Sequence, residues 1–205
     1  IRSAPVLAGR FLFVAESVGL NASLLRCLVL SSSDGTPRQS QVIPRKGWIW
    51  HSPYVLGGRL FLTTDQNHFS VFDLGDEEDA NPLTEILSSA EVLETRGEQP
   101  YPFATSENNF WTNGERLLSY EIKLGNKRAT ANWEMQLPGK PAQPPQLAGE
   151  LLLVAAREES TGVVTMLALE PAAKTERWRL ELGSLPQALR SDPKTPGAML
   201  FQNGP

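Results

Sequence analysis

One phrase recurs four times along this chain, and it narrows the possible folds more than any other feature. It runs proline, apolar residues, a small residue or glycine, then an apolar run. The copies are Pro5-Val6-Leu7-Ala8-Gly9-Arg10-Phe11-Leu12-Phe13-Val14, Pro53-Tyr54-Val55-Leu56-Gly57-Gly58-Arg59-Leu60-Phe61-Leu62, Pro102-Phe103-Ala104-Thr105-Ser106-Glu107-Asn108-Asn109-Phe110-Trp111 and Pro145-Gln146-Leu147-Ala148-Gly149-Glu150-Leu151-Leu152-Leu153-Val154. Their prolines are 48, 49 and 43 residues apart. The third copy is degenerate, with Asn108-Asn109 where the others carry glycine. Glycine takes positive φ without a Cβ clash, so each phrase reads as two antiparallel strands joined by a tight turn. The near-continuous apolar run after each turn fits a strand buried on both faces.

Each copy continues in the same grammar. A further strand follows at Leu24 to Leu30, Phe69 to Leu74, Arg116 to Ile122 and Val163 to Leu169, and then a turn-rich segment. Trp-bearing strands close the last two units at Trp133 and Trp178, and Trp48 and Trp50 hold the comparable place before the second. A period near 45 residues carrying three or four strands suits a propeller blade, whereas helical repeats of that length would show 3.6-residue periodicity. The expected architecture is all-β: a β-propeller of four-stranded antiparallel blades, four to five of them present. The units fall at about 4–50, 51–99, 100–140 and 141–185 of a single domain or propeller fragment, with 186–205 starting another.

One stretch breaks the rhythm. Asn81-Pro82 precedes Leu83, Ile86, Leu87, Ala90 and Leu93, a helical spacing with a capping residue and a proline at the first turn. A short helical insertion near 82–94 is the expectation, with an irregular outer strand as the alternative. In the tail, Pro196 to Phe201 resembles the opening of a fifth unit.

The formal net charge is −4 with only 19 basic residues, and no basic stripe is visible, which argues against a nucleic-acid surface. The longest apolar runs, such as Leu151 to Ala156, are far below the roughly 18 to 20 residues that span a bilayer. A single cysteine, Cys27, excludes an intrachain disulfide, and its apolar setting reads as a small buried hydrophobe. The opening Ile-Arg-Ser, with no Met or leader, reads as part of a longer protein.

These residues resemble the pyrroloquinoline-quinone-like (PQQ-like) β-propeller repeats. That repeat typically ends a strand in Ala-Leu-Asp, turns through Thr-Gly, and places a Trp about eight residues on. Leu167-Ala168-Leu169-Glu170, followed by Lys174-Thr175-Glu176-Arg177-Trp178, is similar to this ending, with Glu170 in the Asp place and no glycine in the turn. Tyr120-Glu121-Ile122 with Gly125 and Trp133 is a looser match. The resemblance covers about Ala4 to Gly183 and implies six to eight blades in a closed ring. This chain is therefore expected to be a piece of a larger propeller, or a compact ring completed by its tail.

Enzymatic quinoproteins with such repeats hold their cofactor with an adjacent cysteine pair, an indole and a calcium site. One cysteine cannot make that pair, and the five tryptophans read as packing between blades. The acidic run Asp76-Glu77-Glu78-Asp79 invites calcium, but it lacks the alternating ligand spacing and reads as a solvated blade edge. His51 and His68 sit in no zinc pattern, and no nucleophile elbow or phosphate loop appears. Asn21-Ala22-Ser23 fits a glycosylation acceptor, a common tripeptide.

No catalytic, cofactor-binding or metal residue is singled out, and no cofactor is expected. The reading is a non-catalytic propeller scaffold that binds protein partners as part of a larger protein, with the periplasmic or extracytoplasmic side implied by the resemblance alone. Neither nucleic-acid binding nor membrane insertion is expected. A quinoprotein-type dehydrogenase and the sensor domain of a signalling protein are the alternatives.

Overall fold

The computed structural model describes residues 3–66, 68–89, 99–123, 128–183, 188–191 and 199–202. Every regular element among them is a β-strand. The first sheet is β1 (Val6–Ala8), β2 (Phe11–Val18), β3 (Ala22–Leu30) and β4 (Pro37–Lys46), hydrogen-bonded in that order. The second is β5 (Tyr54–Leu56), β6 (Arg59–Thr63), β7 (Phe69–Leu74) and β8 (Leu83–Ser88), and the third is β9 (Tyr101–Ser106), β10 (Asn109–Asn113), β11 (Arg116–Lys123) and β12 (Arg128–Gln136). In the fourth, β13 (Lys140–Pro141) and β14 (Gln146–Ala148) both flank β15 (Leu151–Arg157), followed by β16 (Val164–Glu170) and β17 (Thr175–Leu182). A two-stranded ladder, β18 (Ala188–Ser191) with β19 (Met199–Gln202), comes last. The chain clusters into two compact units, Ile1–Gly114 with Leu118–Glu134, and Glu115–Leu117 with Met135–Pro205.

In the first unit, strand parity decides which sheet each residue touches, because alternate side chains leave a strand on opposite faces. Leu60, Leu62 and Phe72 of the second sheet pack with Phe11, Phe13, Leu25 and Val29 of the first. Their neighbours Phe61 and Val71 turn the other way and join Ala104, Phe110 and Ile122 of the third. Phe61 and Phe110 stack with centroids 5.4 Å apart and planes 9° from parallel. A fully buried Phe of this kind contributes roughly 1.5 to 3 kcal/mol. The apolar run Leu60 to Leu62 is continuous because consecutive residues serve different interfaces.

The hairpin turns follow the glycines where they exist. Gly57 takes φ 58° between Leu56 and Arg59, which pair directly. The third sheet closes Ser106 onto Asn109 without glycine, and neither Glu107 nor Asn108 has positive φ. A register shift at Asn109/Phe110 leaves Thr105 as an extra residue on β9, a bulge that supplies the twist the missing glycine would have allowed.

The helix expected near 82–94 is not formed over its first part, where residues 83–88 are strand β8. Pairing passes from Phe72↔Glu85 to Val71↔Leu87, so Ile86 is bulged out and the strand's parity reverses there. Leu83 consequently faces the first sheet, while Ile86 and Leu87 face the third. A bulged strand with a residue committed to each side imitates helical spacing. Ala90 and Leu93 lie outside the described residues.

In the second unit, Leu153, Ala155, Val164, Met166 and Ala168 form the buried cluster, with Trp178 packed at its edge. The inner strand is broken: Gln146 to Ala148 pair with Leu153 to Leu151, whereas Lys140 and Pro141 pair with Arg157 and Ala156. Met199 to Gln202 pair with Ala188 to Ser191 in the last ladder, and Pro196 to Ala198 lie outside the described residues.

Candidate functional site

The segment leading from β4 to β5 carries two adjacent, partly buried tryptophans, Trp48 and Trp50. It is anchored from below by Ser23, which is buried; its Oγ donates to the Gly47 carbonyl at 3.0 Å and accepts from the Ile49 amide at 3.0 Å. Asp65, just beyond β6, holds it from the side. Its Oδ1 accepts from the Trp48 amide at 2.7 Å, its own amide donates to the Trp48 carbonyl at 3.0 Å, and its Oδ2 accepts from Trp50 Nε1 at 3.4 Å. Ile49 points inward and is buried, which leaves Trp48 and Trp50 half-buried on either side of it. Their rings meet edge to face with centroids 5.7 Å apart.

His51 follows directly. Its ring stacks on Tyr101 at 3.5 Å between centroids, and its Nε2 lies 2.7 Å from the Gln99 carbonyl. Burial pulls the imidazole pKa below its ordinary value, with the Gln99 carbonyl opposing, and pushes the Tyr101 phenol up. The Trp48–Trp50 and His51–Tyr101 pairs are thus each held in a fixed geometry while remaining only partly buried. Aromatic groups held in one geometry and still accessible are suited to docking, since little conformational freedom remains to be lost.

The other residues singled out in the sequence are dispersed. The acidic run lies in the turn between β7 and β8, where Glu77 pairs with Arg10 at 2.5 Å and Asp79 Oδ2 accepts from the Asp76 amide at 3.1 Å. Ser40 donates to the Asp79 carbonyl at 3.2 Å, so this turn ties the second sheet to the first. His68 Nε2 lies 3.1 Å from Ser88 Oγ, and its pKa is lowered by burial first and by Arg45 second. The Cys27 thiol is buried and pushed up to about 11. Asn21 is exposed and accepts from Gln66 at 2.5 Å. Among the described residues, no three His, Cys, Asp or Glu side chains come together as a metal site, and no helix is long and apolar enough to cross a membrane.

The five tryptophans do not share one role. Trp111 is fully buried, donates to Thr105 Oγ1 at 3.2 Å and meets Trp133 edge-on at 5.6 Å. Trp48, Trp50, Trp133 and Trp178 are only half-buried, so packing accounts for them in part. The sequence marked the positions of Trp48 and Trp50 but neither their exposure nor their shared hydrogen-bond partner, Asp65.

The second unit has a groove of about 360 Å³ where β12 leads to β13 and β15 turns to β16. Lys140 pairs with Glu159 at 2.5 Å, and that bond and charge raise its pKa. Glu158 accepts from Thr161 at 2.6 Å, which lowers its own. Gly139 forms the floor: a Cβ there would lie 2.2 Å from the Arg157 carbonyl oxygen.

No family model matches the sequence, and no curated protein matches it. Solved structures do. A protein from Lactobacillus plantarum superposes with a TM-score of 0.57 at 10% identity, covering 83% of this chain and 55% of its own. BamB from Moraxella catarrhalis gives 0.53 at 14% identity, covering 87% of this chain and 61% of its own. The chain thus spans between 55 and 61% of the length of these two neighbours, and at such identity the likeness is one of fold. Three successive four-stranded antiparallel sheets and a fourth whose edge is shared by β13 and β14, together with that likeness, make this an all-β protein of β-propeller fold.

Proposed function

We propose that the chain is a non-catalytic propeller of the PQQ-like repeat kind, acting as a scaffold within a larger extracytoplasmic protein. It docks a protein partner through the aromatic surface around Trp48 and Trp50. The observation that carries this reading is the Trp pair itself, held by three hydrogen bonds to Asp65 and still half-exposed. Tryptophans so placed are the usual anchors of protein interfaces, where truncating one costs on the order of 2 kcal/mol or more of binding.

The PQQ-like assignment is supported by the turn between β16 and β17. Lys174, four residues after Glu170, takes φ 56°, the left-handed conformation that suits the glycine of the repeat. The Lys174 amide closes the turn onto the Glu170 carbonyl at 2.7 Å, and Trp178 follows in β17. In the first sheet Gly35 takes φ 71° and closes onto the Ser31 carbonyl at 3.0 Å in the same way.

The test is capture of a cross-linked partner from the source cells with the natural-length protein, comparing wild type with Trp48→Ala and Trp50→Ala. Both variants should fold and lose about tenfold or more of the captured partner. Undiminished capture would remove the aromatic surface from consideration. Dye-linked alcohol oxidation after adding quinone and calcium would replace the scaffold reading with the quinoprotein one.

A further inference from the structure

The apolar core between the first and second sheets gives way, where β4 meets β8, to a group of polar side chains. Gln41 sets the alignment: its Nε2 donates to the Leu83 carbonyl at 3.0 Å, and its Oε1 accepts from the Leu83 amide at 2.8 Å. Arg45 lies four residues further along β4 on the same face, and Ser88 lies four ladder steps beyond Leu83 once the bulge at Ile86 is allowed for. Ser88 pairs with Ser70 of β7, so Arg45 comes level with that pair. The contacts agree. The Arg45 guanidinium lies 4.9 Å from the Phe72 ring centroid, and its Nη2 lies 3.0 Å from Glu85 Oε1, Phe72 and Glu85 being the next pair on the same face.

These polar groups are under-used. Ser70 is 1% exposed, and its Oγ makes no hydrogen bond. The Arg45 side chain is 11% exposed; Nη1 donates to the Pro44 carbonyl at 3.1 Å, but Nε and Nη2, both buried, donate to no acceptor. Those two nitrogens form the side-on fork of the guanidinium, the edge that takes anions in bidentate fashion. Glu85, whose side chain is a third exposed, balances charge near Nη2 without lying along its N–H directions. His68 stands two residues before Ser70, with its Nε2 3.1 Å from Ser88 Oγ; accepting there leaves the proton on Nδ1, which is buried and also without a partner. Buried polar atoms are seldom left unsatisfied, and four in one place call for an occupant.

We infer that these side chains bind one small monovalent anion, chloride-like in size, between the Arg45 fork, Ser70 Oγ and His68 Nδ1. Three of the four atoms can only donate, one more than the two lone pairs of a water molecule accept, whereas a halide accepts from all of them. After burial, the charges that act on His68 are those of Arg45, Glu85 and Lys46, two positive and one negative, which favours a negative occupant. Asp65 is bonded to Trp48 and Trp50 and is not among them. Lys46 and Ser88 are exposed and His68 is half-buried, so the site opens to solvent at its rim. The bound anion fastens β4 of the first sheet to β7 of the second, independently of partner docking.

Thermal unfolding of the full chain at fixed ionic strength, with sodium gluconate exchanged for sodium chloride or bromide, tests this. Tm should rise saturably by about 2 °C or more toward about 200 mM halide, since a ligand that binds only the folded state stabilises it. Arg45→Met should abolish that rise. Ser70→Ala, a small change that keeps the fold, should remove at least about half of it and serves alone if Arg45→Met does not fold. Crystals grown with bromide should show an anomalous peak against Arg45 Nε and Ser70 Oγ. By NMR, chloride should raise the His68 pKa toward its ordinary value, because a neighbouring anion favours the charged imidazole. Equal Tm in all three salts, or a water and no bromide peak at the site, would overturn the inference. So would a rise that neither saturates nor diminishes in Ser70→Ala, which is general screening.

Discussion

Lys174 and Gly35 occupy the same place in two turns of the same design, one with a side chain and one without. Exchanging the residue types is therefore a sharp test of the equivalence between sheets. A residue with a Cβ in the left-handed region carries a cost of roughly 1 to 2 kcal/mol. Glycine removes that cost but adds about 0.4 to 1 kcal/mol of unfolded-state freedom. Lys174→Gly should then stabilise the protein by about 0.5 to 1 kcal/mol, a rise in Tm of roughly 1 to 4 °C for a chain of this size. Gly35→Lys should lower stability by a similar amount. No atom lies within 4 Å of a Cβ built on Gly35, so its loss would come from the backbone and not from a clash. Urea titrations monitored by tryptophan fluorescence would supply both free energies. Shifts of the same sign in the two variants, or a clear loss on Lys174→Gly, would refute the shared turn geometry.

Three further outcomes are expected. Arg59 is almost fully buried and binds Asp73 Oδ1 at 2.9 Å, Asn108 Oδ1 at 2.9 Å and the Glu107 carbonyl, joining the second sheet to the turn of the third. Asp73 is half-exposed and can be rehydrated, so Arg59→Met should cost about 2 to 3 kcal/mol in urea unfolding, and a cost under about 0.5 kcal/mol would deny the clamp. Trp111→Ala should cost about 3 to 5 kcal/mol, whereas Trp178→Ala, at a half-buried site, should cost only about 1 to 2, and equal losses would contradict the assigned burial. His51 and His68 both have folded-state pKa values below 6.5, so the unfolded chain binds protons first. Stability is complete above that pH and falls as pH drops from 6.5 toward the folded values; a Tm that holds steady from pH 7 to 5, or a decline undiminished in a His51→Gln/His68→Gln variant, would rule these histidines out as its source.

The sheets were legible because their determinants are local: a proline, a turn and a two-residue alternation lie within ten residues of one another. Phe69 to Leu74 coincides with β7 for that reason. Where register changes, local reading fails. The bulge at Ile86 depends on Val71 and Phe72 of a partner strand, and nothing in residues 81–88 alone distinguishes it from a helical turn. The candidate surface was half legible. Trp48 and Trp50 stand out by type, but their shared support, Asp65, lies across the sheet, and the clamp formed by Arg59 requires knowing that Glu107 and Asn108 belong to the neighbouring turn. Exposure and long-range bonding arise only when distant segments meet.

The alternation along β6 also shapes how this protein can change over time. Leu60 and Phe61 are covalent neighbours, yet they answer to different sheets, so substitutions at the two should drift independently, while Leu60 must keep step with Phe72 and with Phe13. Loss of a single residue within the strand would send every later side chain to the wrong neighbour at once. Length variation should therefore be confined to the connections, leaving the strands free to vary in spelling but not in count.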